Sequence, residues 1–469
     1  MKRYFLTICA ILFFVVSFAA PKAKYVFYFI GDGMGVNQVN VTEAYLSAVN
    51  GEIGARHLLL TQFPVVSMAT TFSKSSPVTD SAASGTALAS GTKTYNGAIG
   101  VDNDTLPVYS VAVAAKKAGK KVGVITSVSV DHATPASFYA HQSYRKKYYE
   151  IAAEIPTAGF DFYAGSGFVS PALNYSKDEM ENIEDTLSRG GYLVLHGLDE
   201  YRAHAADKAP KVLIQAEGAD QHSLPYSIDR KEGDITLAQL TKCAIEQLTR
   251  DNKNGFFLMA EGGKIDWAAH HNDPATMVGE VIDMNEAVKV AYEFYRQHPD
   301  ETLIVISADH ETGGLALARN NVYNLNLEKL SSQKCSQEKL SDAITRLGKD
   351  KGDSIKYSDI QDLLKREMGF WDTVELTWEQ EKMLRDAYEK SFVQNKKRKE
   401  KQMYAQTELV AKAAMKVMSQ AAGLDWSTGG HTAGYVPVYA VGVGQTKFSG
   451  LLDNALLPQL IMQIAGYRK

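Results

Sequence analysis

Continuous apolar runs recur along the chain, and polar residues gather where each run stops. Tyr25–Ile30 is apolar at every position, the pattern of a parallel strand buried on both faces. Similar runs occur at Val122–Thr126, Tyr192–Leu195, Val212–Ile214, Phe256–Met259, Leu303–Ser307 and Val438–Val443, separated by segments with helical spacing. That alternation predicts an α/β fold: a central, mostly parallel β-sheet sandwiched by helices. Between Asp234 and Asn252, Leu237, Leu240, Ala244, Ile245 and Leu248 trace one helix face feeding the Phe256 strand. Asp273-Pro274 reads as an N-cap followed by proline at the first helical position, opening a helix to about His298. From Asn320 to Ala422 the pattern changes to charged helical stretches with no buried strand. We expect a helical insertion there, before the last strand, with the basic run Lys396–Lys401 as a solvated helix face.

In an open α/β sheet, functional groups collect on the loops at the carboxyl ends of the strands. The polar exceptions fall there. Asp32 follows the Tyr25 strand, and Asp131-His132-Ala133-Thr134 follows the Val122 strand. Glu261, Asp266, His270 and His271 follow the Phe256 strand, Asp309-His310 the Leu303 strand, and His431 precedes the last strand. Carboxylates and imidazoles from so many strand ends can converge only if something neutralises their charge, and bound divalent metals do that. Each residue alone has a simpler reading, as a helix cap or a local hydrogen-bond partner; their joint placement favours a metal cluster. Of the adjacent histidines, we take His270 as the ligand, because neighbours on a helix point in different directions. His57, His141, His196, His204, His222 and His298 lack such context and read as structural or surface.

Ser81 is a candidate nucleophile. It opens a predicted helix of small residues, where exposed amides favour an anion and small neighbours let a phosphate approach the backbone. A lone serine is weak, but beside a bound zinc its hydroxyl can ionise near neutral pH without a histidine base. No GxSxG elbow is present.

The motifs Gly31-Asp-Gly-Met-Gly35, Thr79-Asp-Ser-Ala-Ala-Ser84, Lys93-Thr-Tyr-Asn-Gly97, Glu261-Gly-Gly-Lys-Ile-Asp-Trp-Ala-Ala-His270, Ala308-Asp-His310 and His431-Thr432 together resemble the alkaline phosphatases, in order and spacing over nearly the whole mature chain. That resemblance implies hydrolysis of phosphate monoesters through a phosphoserine on Ser81. It implies two zinc ions about 4 Å apart, one held by Asp266, His270 and His431, the other by Asp32, Asp309, His310 and Ser81. Asp32, Thr134 and Glu261 would hold a third ion, magnesium. Arg145 would grip two non-bridging phosphate oxygens, and Asp80 would orient it. His132 and Trp267 stand where the best-known bacterial members carry Asp and Lys, so both are expected beside the substrate with an altered third-metal site. A homodimer is also implied, with variable insertions near its interface.

Related hydrolases of phosphate diesters are the nearest alternative, and the Arg145 clamp with third-metal ligands favours a dianionic monoester. A sulfatase lacks its Cys/Ser-x-Pro-x-Arg context here, and a non-catalytic phosphate- or metal-binding protein would not need both Ser81 and Arg145.

Composition adds exclusions. Over 469 residues, 50 Lys+Arg oppose 54 Asp+Glu, so the net charge of −4 carries no footprint for nucleic acid. Residues 1–20 combine Lys2 and Arg3, an apolar stretch and small residues before Pro21, which reads as a signal peptide for export to the periplasm or the medium. The stretch is shorter than the ~20 residues a spanning helix needs, and no other stretch would span. The remainder, 21–469, reads as a single domain. Its cysteines, Cys243 and Cys335, could pair in an oxidising compartment, although Cys243 also fits a helix core.

Overall fold

A computed structural model describes residues 22–216, 222–320, 323–394, 399–402 and 406–468. Residues 1–20, expected to be a signal peptide, and the first part of the basic run, 396–398, lie outside the described residues. Ten strands form one sheet: β1 (Tyr25–Gly31), β2 (Val65–Thr70), β3 (Lys121–Thr126), β4 (Phe162–Gly165), β5 (Leu193–His196), β6 (Val212–Gln215), β7 (Phe256–Gly262), β8 (Thr302–Ser307), β9 (Val436–Gly442) and β10 (Leu451–Asp453). Their order is β10-β2-β9-β8-β1-β7-β3-β4-β6-β5. β9 runs antiparallel to both its neighbours, and the other pairs are parallel. Every residue of β1, β7 and β8 is buried, as continuous apolar runs require of central strands with helices on both faces.

Three strands were not among the sequence expectations. β2 alternates between buried and exposed positions, β4 has four residues, and β10 has three and follows the strand expected to be last. The helices were better signalled. Leu237–Thr249 starts with a capping box between Thr236 and Gln239, and Pro274–Gln297 starts at Asp273.

Between 320 and 422 the chain forms Gln337–Lys351, Tyr357–Met368, Trp378–Tyr388 and Leu409–Ala422, all helical. The basic run departs from expectation: Lys399–Lys401 is not a helix face but an antiparallel strand paired with Gln406–Glu408. Cys243 and Cys335 are free thiols, each buried. Among the described residues no helix is long and apolar enough to cross a membrane.

Asp273, the cap of the helix Pro274–Gln297 that packs on the sheet, fastens this helical segment to the rest of the fold. Its carboxylate accepts from Thr276 N at 3.2 Å and Thr276 Oγ1 at 2.7 Å, and also from Gln333 Nε2 at 2.8 Å and Gln337 N at 2.9 Å. Asp273→Ala leaves these buried donors without a partner. We expect a loss of about 3 kcal/mol in denaturant unfolding, with Asp273→Asn losing less because it still caps.

Candidate active site

The carboxyl ends of β1, β3, β7 and β8 lie side by side, so their following loops share one edge of the sheet. Register places Glu261 of β7 between Ile30 of β1 and Thr126 of β3, and the Thr126 hydroxyl donates to the Glu261 carboxylate. Because β9 is antiparallel, its start lies at this same edge, which brings His431 in from the opposite chain direction. The short strands Glu311–Thr312 and His431–Thr432 pair there, so that the rings of His310 and His431 stack 3.5 Å apart. Glu311 secures the junction by accepting from Gln38, Gly314 N and Thr432.

Gly33 lets the first loop fit. Its φ is +70°, and a Cβ would stand 2.8 Å from the Asp266 Cα, too close for any side chain. Its amide donates to Asp309 Oδ1 at 3.0 Å.

Asp266, His270 and His431 converge. His270 Nδ1 lies 2.7 Å from the carbonyl oxygen of Gly429, and His431 Nδ1 lies 2.9 Å from that of Thr79. A carbonyl only accepts, so each Nδ1 carries a proton and each Nε2 is left facing inward. The two Nε2 atoms are 3.1 Å apart, and Asp266 Oδ2 is 3.2 Å from that of His270. Only a proton or a cation between them relieves the crowding of lone pairs, and a metal uses all three donors at once.

A second group surrounds His310 Nε2: Asp309 Oδ2 at 3.2 Å, Asp32 Oδ1 at 3.4 Å and Ser81 Oγ at 3.2 Å. Asp266 also belongs to it, since one oxygen each of Asp32 and Asp266 and a ring nitrogen of His310 lie within 4.8 Å of one another. The Asp266 carboxylate therefore stands between the two groups. A third set comprises Asp32, His132 and Glu261, again within 4.8 Å, with Thr134 Oγ1 3.5 Å from Asp32 Oδ2. His132, expected beside the substrate, thus also offers a nitrogen to the third site; its ring lies 5.9 Å from that of Trp267.

These donors suit hard, divalent cations. Asp32 Oδ1, Glu261 Oε1, Asp266 Oδ2 and Asp309 Oδ2 are buried oxygens without a hydrogen-bond partner among the described residues. Burial drives the carboxyl of Glu261 up to about 8 and, with Asp266 beside it, that of Asp309 to about 7. Burial, then Asp309, Asp266 and Glu261, raise Asp32 well above the carboxylate range. For Asp266 burial acts in the same direction, but His270, His431 and His310 outweigh it and hold the group below that range. Without cations the site cannot keep all its carboxylates ionised at neutral pH.

Ser81 is the first residue of the helix Ser81–Ser90, in which every position is buried. The Asp80 carboxylate works at both oxygens: Oδ1 accepts from Ala83 N and Gly97 N at 3.0 Å each, and Oδ2 accepts from Arg145 Nη1 at 3.0 Å. The cap of the helix thereby fixes the guanidinium near its first residue. Arg145 Nη2 also lies 3.5 Å from His132 Nε2.

Sequence reasoning missed the layer that orients these groups. Thr312 Oγ1 reaches both Asp266 and His310 Nδ1, Thr126 holds Glu261, and the carbonyls of Thr79 and Gly429 hold His431 and His270. Thr312 lies two residues beyond His310, a usable signal; the carbonyls leave none.

A family model for alkaline phosphatase matches residues 23–166 and 212–467. The chain belongs to the alkaline phosphatase family. The match omits 167–211, which carries β5, and runs through 320–422. The chain is 33% identical to alkaline phosphatase 4 of Bacillus subtilis, over 94% of this chain and 89% of that protein. It resembles the crystal structure of a cold-active alkaline phosphatase from a psychrophilic Shewanella, with 30% identity, a TM-score of 0.76, and coverage of 94% of this chain and 99% of that one. A His-to-Asp mutant of the alkaline phosphatase from the Antarctic bacterium TAB5, at 25% identity and a TM-score of 0.67 over 96% of this chain and 100% of that one, has Mg bound in its M3 site. As a member of this metal-dependent family, the protein is a phosphomonoesterase.

Proposed function

We propose that this alkaline phosphatase hydrolyses phosphate monoesters in two displacements through Ser81. The observation that carries the reading is the placement of the Ser81 hydroxyl, 3.2 Å from His310 Nε2 at a helix N-terminus, beside an arginine anchored on the preceding residue. Asp266, His270 and His431 would hold one zinc. Asp32, Asp309 and His310, with Ser81 Oγ, would hold a second. Asp32, Thr134 and Glu261, with His132 beside them, would hold a magnesium ion, for which their carboxylate and hydroxyl oxygens are suited donors. Bound there, these cations supply Lewis acidity toward the phosphoryl oxygens and favour the ionised forms of the nucleophiles.

The chain's own groups do the rest. Arg145 aligns the monoester by two non-bridging oxygens while the helix amides beside Ser81 face the phosphate charge. Ser81 Oγ gives up its proton to water and bonds to phosphorus as the ester P–O bond breaks, and the departing alkoxide takes a proton from water. Water then attacks phosphorus from the vacated side, the Oγ–P bond breaks, and Ser81 is reprotonated as phosphate leaves. His132, beside Arg145, and Trp267 would flank the substrate. Hydrolysis of a chromogenic monoester and the matching diester at alkaline pH, with zinc and magnesium, tests this scheme. Monoester preference supports it, and diester preference overturns it.

Asp80 gives a separable test. Asp80→Asn keeps the cap but weakens the hold on Arg145, so KM for a monoester should rise about tenfold with Tm little changed. Asp80→Ala should add a loss of about 1 kcal/mol in stability.

The reading extends to an exported chain of one domain, 21–469, acting as a homodimer. Exposed Val66 and Met68 of β2, with Leu451 of β10 in register beside Met68, give an apolar strip on the sheet edge to support such pairing.

A further inference from the structure

A cleft of about 880 Å³ runs between the helices of the 320–422 segment and the rim of the catalytic site, reaching His270 and Gly429. Its size suits a small molecule rather than a macromolecule. Its walls carry Lys390, Lys401, Lys412 and Lys416 against Asp386, Glu400 and Asp425. Two of the acids are already engaged, Glu400 by Lys412 at 2.8 Å and Asp386 by Lys382 at 2.7 Å. Lys390, Lys401 and Lys416 have no ion pair among the described residues, so the lining carries a surplus of positive charge.

The cleft meets the site at His270 and Gly429. On the helix Leu409–Ala422, Lys412, Lys416 and Ser419 share a face, with Lys416 about 4.5 Å and Lys412 about 10 Å along the axis from Ser419. Ser419 Oγ accepts from Trp426 Nε1 at 3.1 Å and lies 3.3 Å from the carbonyl of Asn272, two residues after His270. The row of ammonium groups thus leads away from Asn272, on the side of His270 that lines the cleft. Ser81 lies on the His310 side of the site, and an in-line displacement expels the leaving oxygen on the opposite side, toward the Asp266, His270 and His431 group.

Resting on the Ser81 reading above, we propose that this cleft binds a second phosphate carried by the leaving group, so that the protein favours monoesters whose departing alcohol is itself phosphorylated. Hexyl phosphate and hexanediol bisphosphate, equal in chain length, isolate the effect. Wild-type kcat/KM should favour the bisphosphate by about tenfold beyond the statistical factor, and more at low salt. Lys390→Glu with Lys416→Glu should abolish that preference while leaving hexyl phosphate within about twofold, and the two Arg variants should keep it. An absent preference, or one that survives charge reversal, overturns the proposal. If hexyl phosphate is not hydrolysed at all, the Ser81 reading fails instead. Calorimetric titration of hexanediol bisphosphate into Ser81→Ala protein then decides the cleft alone. Affinity above that for hexyl phosphate, lost on charge reversal, supports it; equal affinities sink it.

Discussion

Ser81→Ala should lower monoester turnover on the order of 10³-fold or more while leaving the protein folded. The two halves of that expectation come from different atoms. Helix entry does not depend on the serine hydroxyl, because Asp80 supplies the cap to Ala83 N, so the backbone and Arg145 stay in place. The hydroxyl's own contact is His310 Nε2, and alanine takes away the only oxygen that can form the phosphoserine at this position. Binding should survive, since Arg145 and the helix amides remain; a competitive phosphate inhibition constant within about threefold of wild type would show it. Acid quenching of wild-type protein with radiolabelled monoester should trap label on Ser81, and the variant should trap none. Substantial turnover in the variant would mean that water attacks phosphorus directly and that Ser81 only lines the site.

How much of this site was legible in the sequence depended on how each residue reached it. Asp32, Glu261, Asp309 and His310 stand at or just after all-apolar runs, so strand periodicity alone delivers them to one edge. His431 was legible only as a neighbour of the last long strand, and it arrives correctly because that strand is antiparallel, which an apolar run cannot reveal. β2 escaped notice because Val66 and Met68 point outward, mixing its pattern with that of a loop, and β10 is too short for any period. The shared position of Asp266 between two groups, and the approach of His132 to Asp32 and Glu261, are set by packing between distant loops. Gly33 illustrates the limit: its motif is readable, but that the missing side chain admits Asp266 is a fact of tertiary contact.

Chelation should remove activity, by on the order of 10³-fold or more, and should also reverse how stability responds to pH. In the metal-free protein Asp309 and Glu261 titrate near 7 and 8, both raised chiefly by burial. An acid raised in this way holds its proton more firmly in the folded than in the unfolded chain. The associated stabilisation is complete below the ordinary carboxylate range and is lost as pH rises through the raised values. The chelated protein should therefore lose stability between about pH 4 and 8, from the ordinary carboxylate range up to the raised values, by roughly 1.4 kcal/mol per pH unit for each proton difference. Metal loading reverses the slope, because cations bind the ionised carboxylates and their affinity strengthens as protons leave. Tm measured with and without chelator should thus diverge as pH rises, and zinc with magnesium should restore both Tm and turnover. Parallel Tm curves would show that the four buried carboxylates do not hold the cations, and the ligand sets proposed above would have to be redrawn.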